Sequence, residues 1–381
     1  MSSFAGADVA LTAGAGRVPV RAGLLGVVPG VLLLAVVGLA GKWTEQTINR
    51  YGKAHHLVLP NIEYVLWAIL FGVVLANTVG LPRVFRAGVA TYEFWLKAGI
   101  ILLGARFVLG DVLKLGGISL GLVFVELALA LTFMTWLGRR FGLGPKLTTL
   151  LAVGSSVCGV SAIIATQGTI DADERETSTA IAAILALGAI SLFLFPLIGH
   201  ALGMSDHAYG LWTGLAVDNT AEATAAGALY SDAAGKFAVL AKTCRNAMIG
   251  FVVLGYAAQW ARQGMASAAA ERQMEHKGRF LWDKFPKFVL GFLLISLLAT
   301  VGGSHSARVA AFGFTKAQLV VLGNLSRWAF LLTFAGVGLR TDLRELGRQG
   351  ARPFVVSALG EIAIAAITLG LILGVDRFYK L

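Results

Sequence analysis

Charge is scarce in this chain. Asp, Glu, Lys and Arg make up 14% of its 381 residues, where soluble domains carry about a quarter. Hydrophobic residues make up 57% and the mean hydropathy is +0.76. A soluble core of this size has no use for so much apolar surface, so the shortage excludes an ordinary soluble domain. Cysteine is scarce too. Cys158 and Cys244 both lie in apolar stretches, which excludes a disulfide framework and a cysteine metal cluster. Histidine offers only one close pair, His55 and His56, in a polar loop and too close in sequence to share a helix face. There is no phosphate-cradling GxxxxGK[ST], no GxGxxG between a strand and a helix, and no HExxH. Nothing therefore points to a cofactor, a metal, ATP-driven work or redox chemistry. No nucleophile–base pair is visible either, so the chain does not read as an enzyme. The first 16 residues lack the basic start of a signal peptide and are rich in Ser, Ala and Gly.

What the chain does have is long apolar runs from end to end. A membrane-crossing helix needs roughly 20 such residues, and about eleven segments qualify on that scale. They cover 22–40, 62–80, 94–109, 117–138, 147–168, 177–202, 208–230, 236–261, 286–302, 317–338 and 353–374. The expected fold is all-α, a polytopic membrane protein with a single transmembrane domain over 22–376. A disordered cytoplasmic tail over 1–21 precedes it, and a charged, partly helical cytoplasmic loop over 262–285 lies between spans. The net charge of +11 sits mostly in short loops, where it orients the protein and does not signal nucleic acid. If every segment crosses, Arg83, Arg86, Arg139, Arg140, Lys146 and Arg340 fall on the cytoplasmic side with the N-terminus, and the C-terminus lies outside. The acidic loop from Asp171 to Glu176 falls on the opposite side. The bilayer expected is the inner (plasma) membrane.

Two stretches carry polar groups where apolar ones are expected. Gly154-Ser-Ser-Val-Cys-Gly-Val-Ser-Ala162 places Gly154, Ser155, Ser156, Cys158, Gly159 and Ser161 mid-segment. Glycines and hydroxyls weaken a helix there, so an interruption between Gly154 and Ser161 is expected. A helix broken at the midplane turns the free N–H groups of its second half toward an anion. Tight packing of small residues is the alternative. The second stretch holds Asp218, Asn219, Thr220, Glu222 and Thr224. Asp218 and Glu222 are one helical turn apart, and intramembrane carboxylates are costly enough to imply a cavity or a partner. Lys242 and Arg245 are the candidate counter-charges. Lys97, Glu126, Arg327 and Glu361 also lie within apolar segments. Lys97 is near enough to a helix end to snorkel, and Arg327, beside Asn324 and Ser326, is a candidate cavity liner. A weak internal echo links Arg106 and Asp111 to Arg340 and Asp342. Each pair reads as a helix end, an Asp cap, one turn and a Gly stop.

The Gly154–Ala162 stretch resembles the G-[ST]-S-[IV]-C-G-x-[SA]-A signature of the YeiH-type membrane proteins, a bacterial family named as sulfate exporters. The Gly-Ala-Arg106, Ala225-Ala-Gly227 and Gly-Leu-Arg340 ends agree with it. The resemblance implies kinship with bile acid:sodium symporters, hence two inverted five-helix repeats plus one extra N-terminal helix. The repeats would be segments two to six and seven to eleven, with segments five and ten broken and crossing. Where that family shows His-[DE]-x-[SA]-Gln, this chain has Asp218-Asn-Thr-Ala-Glu222, a more acidic site. The function expected is secondary transport of a small anion, a sulfate- or sulfite-like oxyanion, a sulfonate or a carboxylate. Access would alternate about the broken helix, with H+ or Na+ as candidate coupling ion and a homodimer as candidate assembly. Gly154, Ser155, Ser156, Cys158, Gly159, Ser161, Asn219 and Thr220 would bind substrate. Asp218, Glu222, Lys242, Arg245, Arg327 and Glu126 would carry coupling or charge. The alternatives are a cation/proton antiporter using Asp218 and Glu222, and a non-transporting membrane sensor or assembly subunit.

Overall fold

The computed structural model describes residues 24–55, 64–264, 267–303, 311–341 and 351–379, and among them there is no strand. The 1–21 tail and the Asp342 half of the echo lie outside these residues. The helices are α1 (Leu24–Ala54), α2 (Tyr64–Thr78), α3 (Arg83–Val89) and α4 (Tyr92–Leu103), which ends in a 3-10 turn at Arg106. Next come α5 (Leu109–Arg140), α6 (Pro145–Ser156), α7 (Val160–Gln167), α8 (Glu174–Ala201), α9 (Asp206–Ala216) and α10 (Thr220–Tyr230). The chain continues with α11 (Asp232–Ala247), α12 (Ile249–Arg262), α13 (Ala268–Glu275), α14 (Lys277–Lys284) and α15 (Phe288–Gly302). It closes with α16 (Lys316–Arg340) and α17 (Ala351–Tyr379). By length and composition, 6 of the described helices can cross a membrane, and the pair α14–α15, bent by 66°, makes up to 7. The 262–285 region is partly helical, as expected, through α13 and α14.

Segment five is interrupted where the glycines and serines predict. Val157 leaves the helical region (φ −122°, ψ −85°) and Gly159 has φ +68°, ψ −123°, a conformation open to glycine and strained for other residues. The Gly159 N–H closes the end of α6 by donating to the Gly154 carbonyl at 3.0 Å. The chain then turns back. Lys146 Nζ at the start of α6 donates to the carbonyl of Asp171 beyond the end of α7. Twelve residues of α6 rise roughly 18 Å, so one lysine could not make that contact across a straight path. Segment seven does the same. Val217 and Asn219 are extended, and the Asn219 side chain caps α10 by accepting from Ala221 N at 3.1 Å. At the open end, Ser231 Oγ donates to Asp206 Oδ1 at 2.7 Å, and the Tyr209 and Tyr230 rings stack 3.9 Å apart.

Segments five and seven are therefore helical hairpins, not crossings, which corrects the expectation that all eleven segments span. They enter from opposite faces. The helix α8, whose start is fixed by an Asp173–Glu176 capping box, runs from the mouth of the first hairpin to the mouth of the second. The pair α11–α12, which together form one 31-residue span, runs back, and Ser267 Oγ beyond it donates to the carbonyls of Gly168 and Thr169 at 3.0 and 2.8 Å, at the first mouth. Two further expectations are corrected. The acidic loop Asp171–Glu176 shares its face with Arg139, Arg140 and Lys146, because the hairpin returns there. Segment ten is one continuous helix, α16, so the second broken element is segment seven.

The described helices pack as two bodies. One contains α1 to α4 and α16, with α15 beside α4. The other contains α5, both hairpins, α8, α11 and α17. Small residues let backbones approach, as at Gly72 of α2 against Gly338 of α16, and Gly214 of α9 against Ala238 of α11. Few contacts join the bodies. Most run through α10, which meets α2 and α16.

Candidate functional site

The hairpin tips meet in the middle of the second body. A Cβ on Gly159 would stand 3.6 Å from Asn219 Cα, so the two turns abut. Each tip joins the C-terminal end of one helix to the N-terminal end of the next. The negative ends, of α6 and α9, are occupied by cations from α11. Arg245 Nε donates to the Ser156 carbonyl at 2.8 Å, Nη1 to the Val217 carbonyl at 3.3 Å, and Nη2 to the Ser155 carbonyl. Lys242 Nζ donates to the Val217 carbonyl at 2.6 Å. This is the pairing that a helix dipole favours. Arg245 also pairs with Glu126 of α5 at 3.3 Å, both side chains being at most 1% exposed. Lys242 and Arg245 are 0% exposed, so this pinning lies fully inside the protein.

The positive ends, of α7 and α10, carry no charged cap: α7 has no side-chain cap, and α10 is capped by the neutral Asn219 amide. Gly159 and Asn219 lead into them, and Ser161, Asn219 and Thr220 retain accessible surface. Asn246 Nδ2 of α11 donates to Thr220 Oγ1 at 3.0 Å and steadies the start of α10. Ser155 and Ser156 are buried, and their carbonyls are used by Arg245 while their hydroxyls have no partner. Cys158 is buried at the first tip.

The acids gather behind the tips. Asp218 is fully buried, and neither carboxylate oxygen receives a hydrogen bond from a backbone N–H, a hydroxyl or a cation. It faces Glu361 of α17, which accepts a hydrogen bond from Ser191 Oγ of α8 at 2.6 Å. Glu222, one turn along α10, is buried as well. Its carboxylate fits only because Gly188 of α8 has no side chain, since a Cβ there would overlap it. Asp218 and Glu222 are thus not solvated at an interface. Lys242 lies within electrostatic reach of both, but it donates to a carbonyl and not to either of them. Glu361, Ser191, Gly188 and Asn246 were missing from the sequence reading of the site. Glu361 was visible there as an intramembrane acid, but nothing linked it to a residue 143 positions away (361 − 218).

Arg327 is not part of this cluster. It lines a separate, partly open cavity, together with Arg106, Asp232, Lys236, Ser326 and Thr224. Lys97 pairs with Glu93 on an exposed face at 3.8 Å. Among the described residues no group of three or more His, Cys, Asp or Glu is arranged to hold a metal ion.

Two re-entrant hairpins with a charged, buried meeting point define an integral, multi-pass helical membrane protein. Residues 29–357 match the family profile described as Conserved hypothetical protein 698. A UPF0324 membrane protein of Nitratidesulfovibrio vulgaris is 34% identical over 90% of this chain and 92% of its own length. A second, from Agrobacterium fabrum, is 30% identical over 91% of this chain and 92% of its own length. A third, from Rhodopirellula baltica, is 32% identical over 81% of this chain, which spans 57% of that longer relative. The chain belongs to this family, the UPF0324 membrane proteins.

Proposed function

We propose that the chain is a secondary transporter of a small anion in a bacterial inner membrane. The observation that carries this reading is the division of labour at the hairpin tips. Lys242 and Arg245, the cations of α11 nearest the tips, are consumed by helix C-termini, so the positive field left there for a solute is that of the α7 and α10 N-termini, with Ser161, Asn219 and Thr220 as donors. A site reached from opposite faces by two hairpins, with a broken backbone at its centre, is what alternating access requires. An oxyanion, a sulfonate or a carboxylate fits it. The carboxyls of Asp218, Glu222 and Glu361 stand next to that field and oppose an anion while ionised. Loading is then favoured when a proton or Na+ occupies them, which couples the two fluxes. The shorter helices α2, α4 and α15 are read as crossings too, which gives nine with both hairpins excluded. Lys and Arg concentrate on the face of the first hairpin mouth, which supports an N-terminus in the cytoplasm and a C-terminus outside.

The test is flux into proteoliposomes, with sulfate, sulfite, a short sulfonate and a dicarboxylate offered under imposed pH or Na+ gradients. Gradient-driven uptake of at least one is expected. Asp218→Asn and Glu222→Gln should keep binding but lose its pH dependence, and Gly159→Val should lose binding. Anion flux indifferent to both gradients discards the coupling. The second reading, cation/proton antiport, is favoured by the three carboxyls alone. It predicts Na+ movement against a pH gradient with no anion present.

A further inference from the structure

The Arg327 cavity lies between the two bodies, at the face where the second hairpin opens. Arg106, at the end of the 3-10 turn after α4, holds Asp232 with Nη1 3.2 Å from each carboxylate oxygen. Lys236, one turn along α11, reaches the same carboxylate at 3.1 Å. Arg327 on α16 lies within electrostatic reach of Asp232, and Arg106 passes over Gly323, one turn before it on that helix. Three cations therefore surround one acid in a cavity whose other walls are mostly apolar, with the hydroxyls of Tyr64, Thr224 and Ser326 among them. A low-dielectric wall focuses that excess of positive charge. Thr224 of α10 also lines the cavity, and it stands one helical turn, roughly 6 Å, from Thr220 at the hairpin tip.

We infer that this cavity is a second anion site, an antechamber on the non-cytoplasmic face that holds a small, doubly charged oxyanion or dicarboxylate before or after it occupies the hairpin tips. Asp232 acts as the resident counter-ion. It keeps Arg106 and Lys236 oriented when the cavity is empty, and an incoming dianion competes with it for them. Three cations against one acid leave two positive charges, which match a dianion better than a monovalent ion. The passage role rests on the anion-transport reading above; the binding itself does not.

The test places Ala228→Cys, on the cavity wall, in a chain whose Cys158 and Cys244 are replaced by Ser, with Thr224→Cys as a second probe position. In phosphatidylcholine vesicles the introduced thiol should react about tenfold faster with a sulfonate-bearing methanethiosulfonate than with a trimethylammonium one, each relative to a free thiol. Arg327→Gln combined with Lys236→Gln should remove that preference. Sulfate should slow the anionic reagent more than chloride at equal ionic strength. No preference, or a preference indifferent to the two substitutions, or equal effects of sulfate and chloride, overturns the site. Phosphatidylglycerol vesicles separate a solute from a lipid headgroup. If the preference collapses there and sulfate no longer competes, the occupant is a headgroup and the antechamber is discarded. Flux by the wild-type protein separates the two proposals. The labelling signature without flux of any offered anion sinks the transport reading and leaves the site, whereas flux without the signature sinks the antechamber alone.

Discussion

Arg245 is the side chain on which the most buried groups depend. Its guanidinium serves the carbonyls of Ser155, Ser156 and Val217 and the carboxylate of Glu126 at once. Lysine, with one compact ammonium, could not span four acceptors. Removing one partner of a buried ion pair strands the other, at a cost of about 3–5 kcal/mol. Arg245→Gln should therefore lower the unfolding midpoint of detergent-solubilised protein by many degrees, and adding Glu126→Gln should restore part of it. A midpoint equal to wild type in Arg245→Gln would mean that the hairpin tips do not depend on this pin. Gly159→Ala tests the neighbouring turn, where φ +68° is strained for alanine by about 1–3 kcal/mol. A lowered midpoint is expected there too, and an unchanged one would show that the turn adopts another conformation. Much at this scale was legible in the sequence. Gly154 to Ser161 announced an interruption because small and hydroxylated residues weaken a helix wherever they cluster. Asp218 and Glu222 announced buried acids because charge inside an apolar segment needs a reason, and both are buried. Glu361 as the partner of Asp218 was not legible, because their contact is made by the fold and leaves no trace in local spacing.

Hydropathy cannot tell a crossing from a hairpin. Segment five, at 23 residues from Pro145 to Gln167, has the length and apolarity of a span, and it takes contacts such as that between Lys146 and Asp171 to show that it returns. The Asp218-Asn219 pair was read for its charge, although an Asn placed to cap a helix is equally a sign that a new helix starts there. The resemblance put the second break in segment ten, whose 25-residue helix α16 runs unbroken. Topology is open to a direct measurement. With native cysteines replaced, Lys146→Cys and Asp171→Cys should react with a membrane-impermeant maleimide from the same face, and Asp206→Cys and Ser231→Cys from the opposite face. Labelling of Lys146→Cys and Asp171→Cys from different faces would restore the crossing topology and remove the basis for tips meeting mid-membrane.

The whole molecule places the hairpins and their acids in one body and leaves that body only lightly joined to the other. The joint is made largely by α10, whose Ala221, Ala225 and Ala226 pack in one buried cluster with Val65 and Ile69 of α2 and Phe330 and Phe334 of α16. The α10 methyl groups interlock less than the Leu192, Val239 and Leu240 side chains of the same cluster, so α10 is where relative displacement of the bodies meets the least resistance. Larger side chains from one helix would seat between those of the other and resist it. If transport requires the hairpin body to move past α2 and α16, the alanines are there to keep that motion fast, and the substrate contacts at the tips are independent of them. Ala225→Leu adds volume to a packed joint, at a cost of about 1–3 kcal/mol. Placed on the barrier between two conformations, that cost slows interconversion by roughly tenfold to a hundredfold. The expected result is flux reduced by that factor with anion binding unchanged in isothermal titration, while Ala225→Ser keeps both. Equal loss of binding and flux would mean that the substitution distorts the tips. Flux unaffected by Ala225→Leu would mean that the bodies do not slide at this joint, and that access to the tips changes by motion of the hairpins alone.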